Sequence, residues 1–208
     1  MSAVLATLTG YLLGSIPTAY LVTRYAIGKD IRRIGGGNVG GLNTFREVGF
    51  LPAAIVAIVD LSKGAAAVSL AYWVFNLDTP FVLLAGLASV IGHNWMLFLK
   101  FSGGKGMAPT FGSLAVLMPL YGYPEGLIIL TVVMLIPFVI TRNIALTMGI
   151  GLVALPFITW LGMNSAIGTL VAVIVGIIIG IKFLPTTKVA VARNKTARGF
   201  IFDRGRGD

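Results

Sequence analysis

Seven apolar runs divide this 208-residue chain, and its sixteen Lys and Arg residues gather at alternate ends of those runs. The basic residues lie within positions 24–46, at Lys100 and Lys105, at Arg142 and within 182–206, and Lys63 stands alone inside an apolar run. The connections around positions 76–78, 121–125 and 162–164 hold none. Short loops on the cytoplasmic side of a membrane collect Lys and Arg, and loops on the far side avoid them. In lipid a run of roughly 20 apolar residues satisfies its own backbone hydrogen bonds only as a helix. The pattern therefore predicts an all-α, polytopic membrane protein with seven transmembrane segments, its N-terminus outside and its C-terminus cytoplasmic.

The runs are 3–25, 51–75, 80–99, 107–120, 126–141, 143–161 and 165–183. At about 1.5 Å per residue the fourth and fifth are short for a bilayer. Either they tilt through a thin region or they form a re-entrant hairpin. Both arrangements return Arg142 to the cytoplasmic side. The expected organisation is one transmembrane helical domain over 1–183 with cytoplasmic loops at 26–49 and 99–106, followed by a basic cytoplasmic tail over 184–208. The first run lacks a basic leading region and a small-residue cleavage site, so it reads as a retained helix.

Composition narrows the function. With 57% hydrophobic and 11% charged residues, the chain is no soluble globular domain. Its net charge of +9, concentrated on one face, suits the anionic inner leaflet and anionic substrates. No nucleic-acid-reading signature interrupts the apolar runs. Cysteine is absent, which removes thiol catalysis, disulfides and Cys-based metal sites. No His and carboxylate spacing matches a metal site, so no cofactor is expected.

Two glycine-rich loops fall in the basic clusters. The first, over positions 30–49, reads DIRRIGGGNVGGLNTFREVG. Gly35, Gly36 and Gly37 let successive N–H groups converge on an anion. Asn38 and Asn43 add neutral donors, and Arg46, with Arg32 and Arg33, adds guanidinium groups that grip phosphate with paired bonds. A flexible linker carrying cytoplasmic arginines is the plainer alternative. The second loop, over 92–112, reads GHNWMLFLKFSGGKGMAPTFG. Its Gly103, Gly104, Lys105 and Gly106 form a tight basic turn just before a helix, where free N–H groups and an ammonium suit a phosphate. It is not a Walker A loop, because Gly106 and Met107 follow the lysine.

Asp60 and Lys63 lie well inside the second run, spaced i, i+3 on one helix face, where they can neutralise each other. They read as a structural ion pair or as the floor of a polar cavity beneath the loops. His93, the one histidine, is the only side chain with an ordinary pKa near neutrality and sits close to the second loop. A packed histidine and a catalytic one both remain open.

In order and spacing, the strings YLLGSIPTAY, DIRRIGGGNVGGLN, DLSKG and GHNWMLFLKFSGGKG resemble the bacterial acyl-phosphate:glycerol-3-phosphate acyltransferases, over about residues 10–115. The resemblance implies transfer of an acyl group from a soluble acyl-phosphate to the hydroxyl of glycerol-3-phosphate, giving lysophosphatidic acid for phospholipid synthesis. It also implies a cytoplasm-facing site in the bacterial inner membrane, with no metal and no covalent acyl-enzyme. On this resemblance Arg46 and Lys105 bind phosphate, and Gly103, Gly104 and Gly106 shape the acyl-phosphate site. Asn38 and Asn43 orient substrate, and a substrate phosphate oxygen, or His93 in second place, takes the proton.

Three departures stand out. Gly36 occupies the place of a serine and Leu42 that of a threonine in the family pattern, and the C-terminal His-Arg-x-x-Asn-like string is reduced to Arg193 and Asn194. Each loss removes a polar contact. The alternatives are a catalytically altered paralogue serving as a subunit with a membrane-complex partner, and an anion or phosphate-ester transporter. The second ranks lower, because no inverted repeat is visible.

Overall fold

The computed structural model describes residues 1–193 together with Thr196, Gly199 and Ile201, and all regular structure among them is helical. The chain first forms α1 (Ser2–Ser15) and α2 (Thr18–Ile27). These are one apolar stretch interrupted at Ile16 and Pro17, because proline has no N–H to continue the ladder. Then come α3 (Gly41–Glu47), α4 (Phe50–Ser69) with a π-helical turn over Leu70–Val74, and α5 (Thr79–Asn94). The chain continues through α6 (Met107–Leu120), α7 (Glu125–Thr141), α8 (Ile144–Met163) and α9 (Ala166–Arg193).

Five helical stretches are long and apolar enough to cross a membrane: Ser2–Ile27, Phe50–Val74, Thr79–Leu99, Ile144–Met163 and Ala166–Val189. Met107–Leu120 and Glu125–Thr141 are shorter apolar helices. The loop expected over 26–49 is not irregular throughout. It contains a 3-10 turn at Ile31–Arg33 and the short helix α3. At the other end α9 runs past Phe183 to Arg193, so part of the expected tail is helical.

The described residues divide into two compact units, one over Met1–Leu117 and the other from Met118 onward. In the first, glycines let helix backbones touch. A Cβ on Gly10 would lie 2.5 Å from the Ala85 carbonyl oxygen, and one on Gly14 or Gly92 would overlap the Ser89 or Tyr11 carbonyl. These contacts seat α1 directly on α5. Gly64 and Gly112 bring α4 against the start of α6 in the same way, facing the Pro109 and Leu61 carbonyls. In lipid such close approach replaces the hydrophobic drive of a water-soluble core. In the second unit Gly126 and Gly162 both face the Tyr123 ring, and Gly151 faces Met134.

Candidate functional site

The first loop is organised by one carboxamide. Asn43 is buried in α3, and its Nδ2 donates to the carbonyls of Ile31, Ile34 and Asn38 at 3.3, 3.2 and 3.1 Å. Its Oδ1 accepts from the Gly36 N–H at 3.0 Å. Gly35 and Gly37 take φ of 54° and 67°, which wraps the loop around this amide, whereas Gly36 does not take positive φ. The space a Cβ would occupy at Gly36 is open, with Asn43 Oδ1 4.0 Å away. Asn38 stands half-buried at the next bend, its amide nitrogen 3.0 Å from where a Gly40 Cβ would sit.

Arg32 is held on the flank of this loop. It forms an ion pair with Asp30 at 2.6 Å and lies 5.4 Å over the Tyr20 ring. The Arg32 hydrogen bond holds the Asp30 carboxyl down at about 2, well below the usual carboxylate range.

The second loop is anchored to the end of α5. Tyr11 Oη donates to the Trp95 carbonyl at 2.9 Å, and the Gly104 N–H donates to the His93 carbonyl at 2.9 Å. Gly104 is sandwiched. A Cβ there would overlap the His93 imidazole and come 2.8 Å from the Val39 carbonyl oxygen. The two glycine-rich loops therefore meet at Gly104, with no room for a side chain. A Cβ on Gly103 would press on the Asn94 carbonyl oxygen, 2.5 Å away. Gly106, at φ 82°, turns the chain into α6, and its carbonyl accepts from Thr110 N at 3.1 Å and Thr110 Oγ1 at 2.8 Å.

Lys105 projects from the middle of this turn, half-buried. Burial and then the nearby Arg46 charge push its ammonium down to about 8. Arg46 itself is exposed on α3. The Arg46 and Lys105 charges thus repel each other across the two loops.

Beneath the loops lies a buried charge cluster. Asp60, Lys63 and His93 are 2%, 3% and 3% exposed. Lys63 is ion-paired with Asp60 and also donates to the Ile16 carbonyl at 2.7 Å, at the break between α1 and α2. His93 Nδ1 lies 3.8 Å from Asp60 Oδ1. Its opposite ring edge is the one that meets Gly104. The imidazole is thus packed behind the turn, between the ion pair and the Gly104 backbone.

Arg46, Lys105, Gly103, Gly104, Gly106 and His93 accordingly gather in one region above Asp60 and Lys63. Gly35, Gly36 and Gly37 form the neighbouring loop. Asn43 lies there too, but its carboxamide is taken up by backbone partners. Asn194 lies outside the described residues. Asn94 is a neighbour that sequence reasoning passed over. It is fully buried at the end of α5 and faces Gly106. Its signal was a carboxamide closing an otherwise apolar helix, directly after His93.

Known proteins share this arrangement of sequence and fold. The family model described as glycerol-3-phosphate acyltransferase matches residues 4–192. Glycerol-3-phosphate acyltransferase 1 of Dehalococcoides mccartyi is 50% identical over 199 residues, covering 96% of each chain. Glycerol-3-phosphate acyltransferase 1 of Deinococcus radiodurans is 41% identical over 162 residues, 77% of this chain and 81% of that protein. The crystal structure of the integral membrane glycerol 3-phosphate acyltransferase PlsY in its glycerol 3-phosphate form superposes with a TM-score of 0.84 at 26% identity. That superposition covers 93% of this chain and 94% of the other.

Proposed function

The chain belongs to the glycerol-3-phosphate acyltransferase family, and we propose that Lys105 and Arg46 are the cations through which it works. The protein is an integral membrane enzyme. It moves an acyl group from acyl-phosphate to glycerol-3-phosphate and makes lysophosphatidic acid.

The acceptor hydroxyl oxygen attacks the acyl carbon, and the bond from that carbon to the bridging phosphate oxygen breaks. Phosphate leaves with the electron pair, and the hydroxyl proton ends on a phosphate oxygen. No protein nucleophile is required, so the rate comes from holding two anions in register and from stabilising the charge that develops on the carbonyl and the leaving phosphate. Lys105, in the turn that leads into α6, supplies a compact point charge. Arg46 supplies a planar fork from the other loop. The observation that carries this reading is the junction at Gly104, which fixes Lys105 to the first loop while Arg46 repels its ammonium.

Asn43 supports the site by holding the Gly35–Gly37 bend, and Asn38, the less buried carboxamide of that loop, orients substrate. His93, packed behind the turn, positions it, and the substrate phosphate is the better proton acceptor. Asp60 and Lys63 brace the floor. Seven membrane segments, with the N-terminus outside and both glycine loops on the cytoplasmic face of a bacterial inner membrane, put the site where soluble acyl-phosphate is found. The positive-inside distribution of Lys and Arg supports this orientation. The chain is then a transmembrane domain over 1–183 with a basic cytoplasmic segment after it.

Purified protein incubated with acyl-phosphate and glycerol-3-phosphate should release lysophosphatidic acid and inorganic phosphate in equal amounts. A folded preparation that yields neither would overturn the reading in favour of a non-catalytic membrane subunit.

A further inference from the structure

Asn94 is 0% exposed, and neither its carboxamide oxygen nor its nitrogen has a hydrogen-bond partner. A buried amide with both ends unpaired is costly, and native proteins keep few of them. Its position gives a reason. The amide lies directly beneath the residue that follows Lys105: a Cβ on Gly106 would sit 2.7 Å from Asn94 Oδ1 and 3.1 Å from Nδ2. Its backbone carbonyl faces Gly103, and the preceding carbonyl, that of His93, already holds the Gly104 N–H. One end of α5 thus borders the whole Gly103–Gly106 turn, and the Asn94 carboxamide there is left unpaired.

We propose that Asn94 is a positioning residue for Lys105, whose carboxamide hydrogen-bonds the peptide groups of the Gly103–Gly106 turn only when a phosphate is seated there. A ligand shifts a two-state element only as far as it interacts differently with the two states. Here the seated phosphate is what turns the peptide groups toward the buried amide. Glycines on both sides of Lys105 let the peptide planes rotate to make those hydrogen bonds. The inference rests on the reading of Lys105 as the phosphate cation.

The test uses full-length protein in detergent micelles or nanodiscs, with inorganic phosphate and glycerol-3-phosphate as probes. Three quantities are measured for the wild type, Lys105→Ala and Asn94→Leu: melting temperature without ligand, its rise with each probe, and kcat and KM. Leucine keeps the branched four-atom skeleton without polar atoms, although its two methyl groups take more room. The expected result for Asn94→Leu is a ligand-free melting temperature at or above wild type, loss of most of the ligand-induced rise, and at least a tenfold fall in kcat/KM. Asn94→Ser, which keeps one donor and acceptor, should recover part of both losses and serves if leucine blocks folding.

A ligand-induced rise that is lost in Lys105→Ala but kept in Asn94→Leu would overturn the inference and leave the Lys105 site standing. A rise equal in all three proteins would overturn the Lys105 reading and this inference with it. A ligand-free melting temperature lowered in both Asn94→Leu and Asn94→Ser, with the ligand-induced rise intact, would mark Asn94 as ordinary packing and also overturn the proposal.

Discussion

Lys63 donates to the carbonyl of Ile16 across 2.7 Å, joining the middle of α4 to the point where Pro17 breaks the first span. The carbonyls at the end of α1 have lost their helical donors, and the negative end of that helix dipole is a fitting partner for an ammonium. Asp60 neutralises the same ammonium from the preceding turn of α4. The ion pair, the helix break and His93 thereby form one buried cluster under the loops.

Removing one member leaves an uncompensated charge. Asp60→Ala and Lys63→Ala should each cost about 3–5 kcal/mol, and the double variant clearly less than their sum. Detergent melting of the four proteins measures this. Strict additivity would mean that the pair does not act as a unit.

The two departures in the first loop differ in consequence. Gly36 has an ordinary φ and open space at its Cβ position, so Gly36→Ser should fold as well as wild type. Its hydroxyl would stand at the loop bend, and one modest added contact is worth about tenfold in rate, or roughly 1.4 kcal/mol. Leu42 is 43% exposed on α3. Leu42→Thr is expected to change kcat/KM by less than about twofold, a bound set by how little surface substitutions ordinarily contribute. Steady-state kinetics on the two single variants checks both, and a gain confined to Leu42→Thr would contradict this placement.

Lys105 sets a pH dependence. With its value lowered to about 8, the ammonium is charged below that pH and neutral above it. Phosphate affinity should therefore hold up to neutrality and weaken above pH 8, by at most about tenfold per unit, while the bound complex keeps its proton. The substrate-free fold behaves oppositely. Between about 8 and the ordinary lysine value of 10.5 the unfolded chain binds more protons, so this group's contribution to stability rises with pH. Arg46→Ala removes the second cause of the depression, and the onset of weakening should move to higher pH. Phosphate titrations from pH 6.5 to 10 test this, and a flat profile in the wild type would contradict it.

Topology is open to direct labelling, because the chain has no native cysteine. Asp78 and Ser102 are both exposed, at opposite ends of α5 and the turn that follows it. Asp78→Cys should react with an impermeant maleimide in intact cells, and Ser102→Cys only after the membrane is opened. Reaction of both from the same side would refute the orientation.

The sequence made the helices legible because lipid permits an apolar run few alternatives, and glycine with Lys and Arg marked the two loops. Hydrogen-bond assignment was not legible. Asn38 and Asn43 are the same residue type five positions apart, yet Asn43 is buried among four backbone groups while Asn38 is half-buried against Gly40. That difference comes from α3, a seven-residue helix too short to announce itself by periodicity. The role of Gly104 likewise depends on Val39, 65 positions away in sequence, which no local pattern reveals. Asn94 went unread for the same reason, since an amide beside apolar residues says nothing of which turn will fold over it.

The most direct test of the account is acyl transfer by Lys105→Ala. Lysophosphatidic acid formation should fall by at least about a hundredfold, the scale of losing one group that stabilises developing charge, with the melting temperature nearly unchanged. Lys105→Arg should recover little, because the tight turn suits a compact ammonium better than a planar fork. If Lys105→Ala retains most of the wild-type rate, the phosphate site proposed at the Gly103–Gly106 turn is wrong.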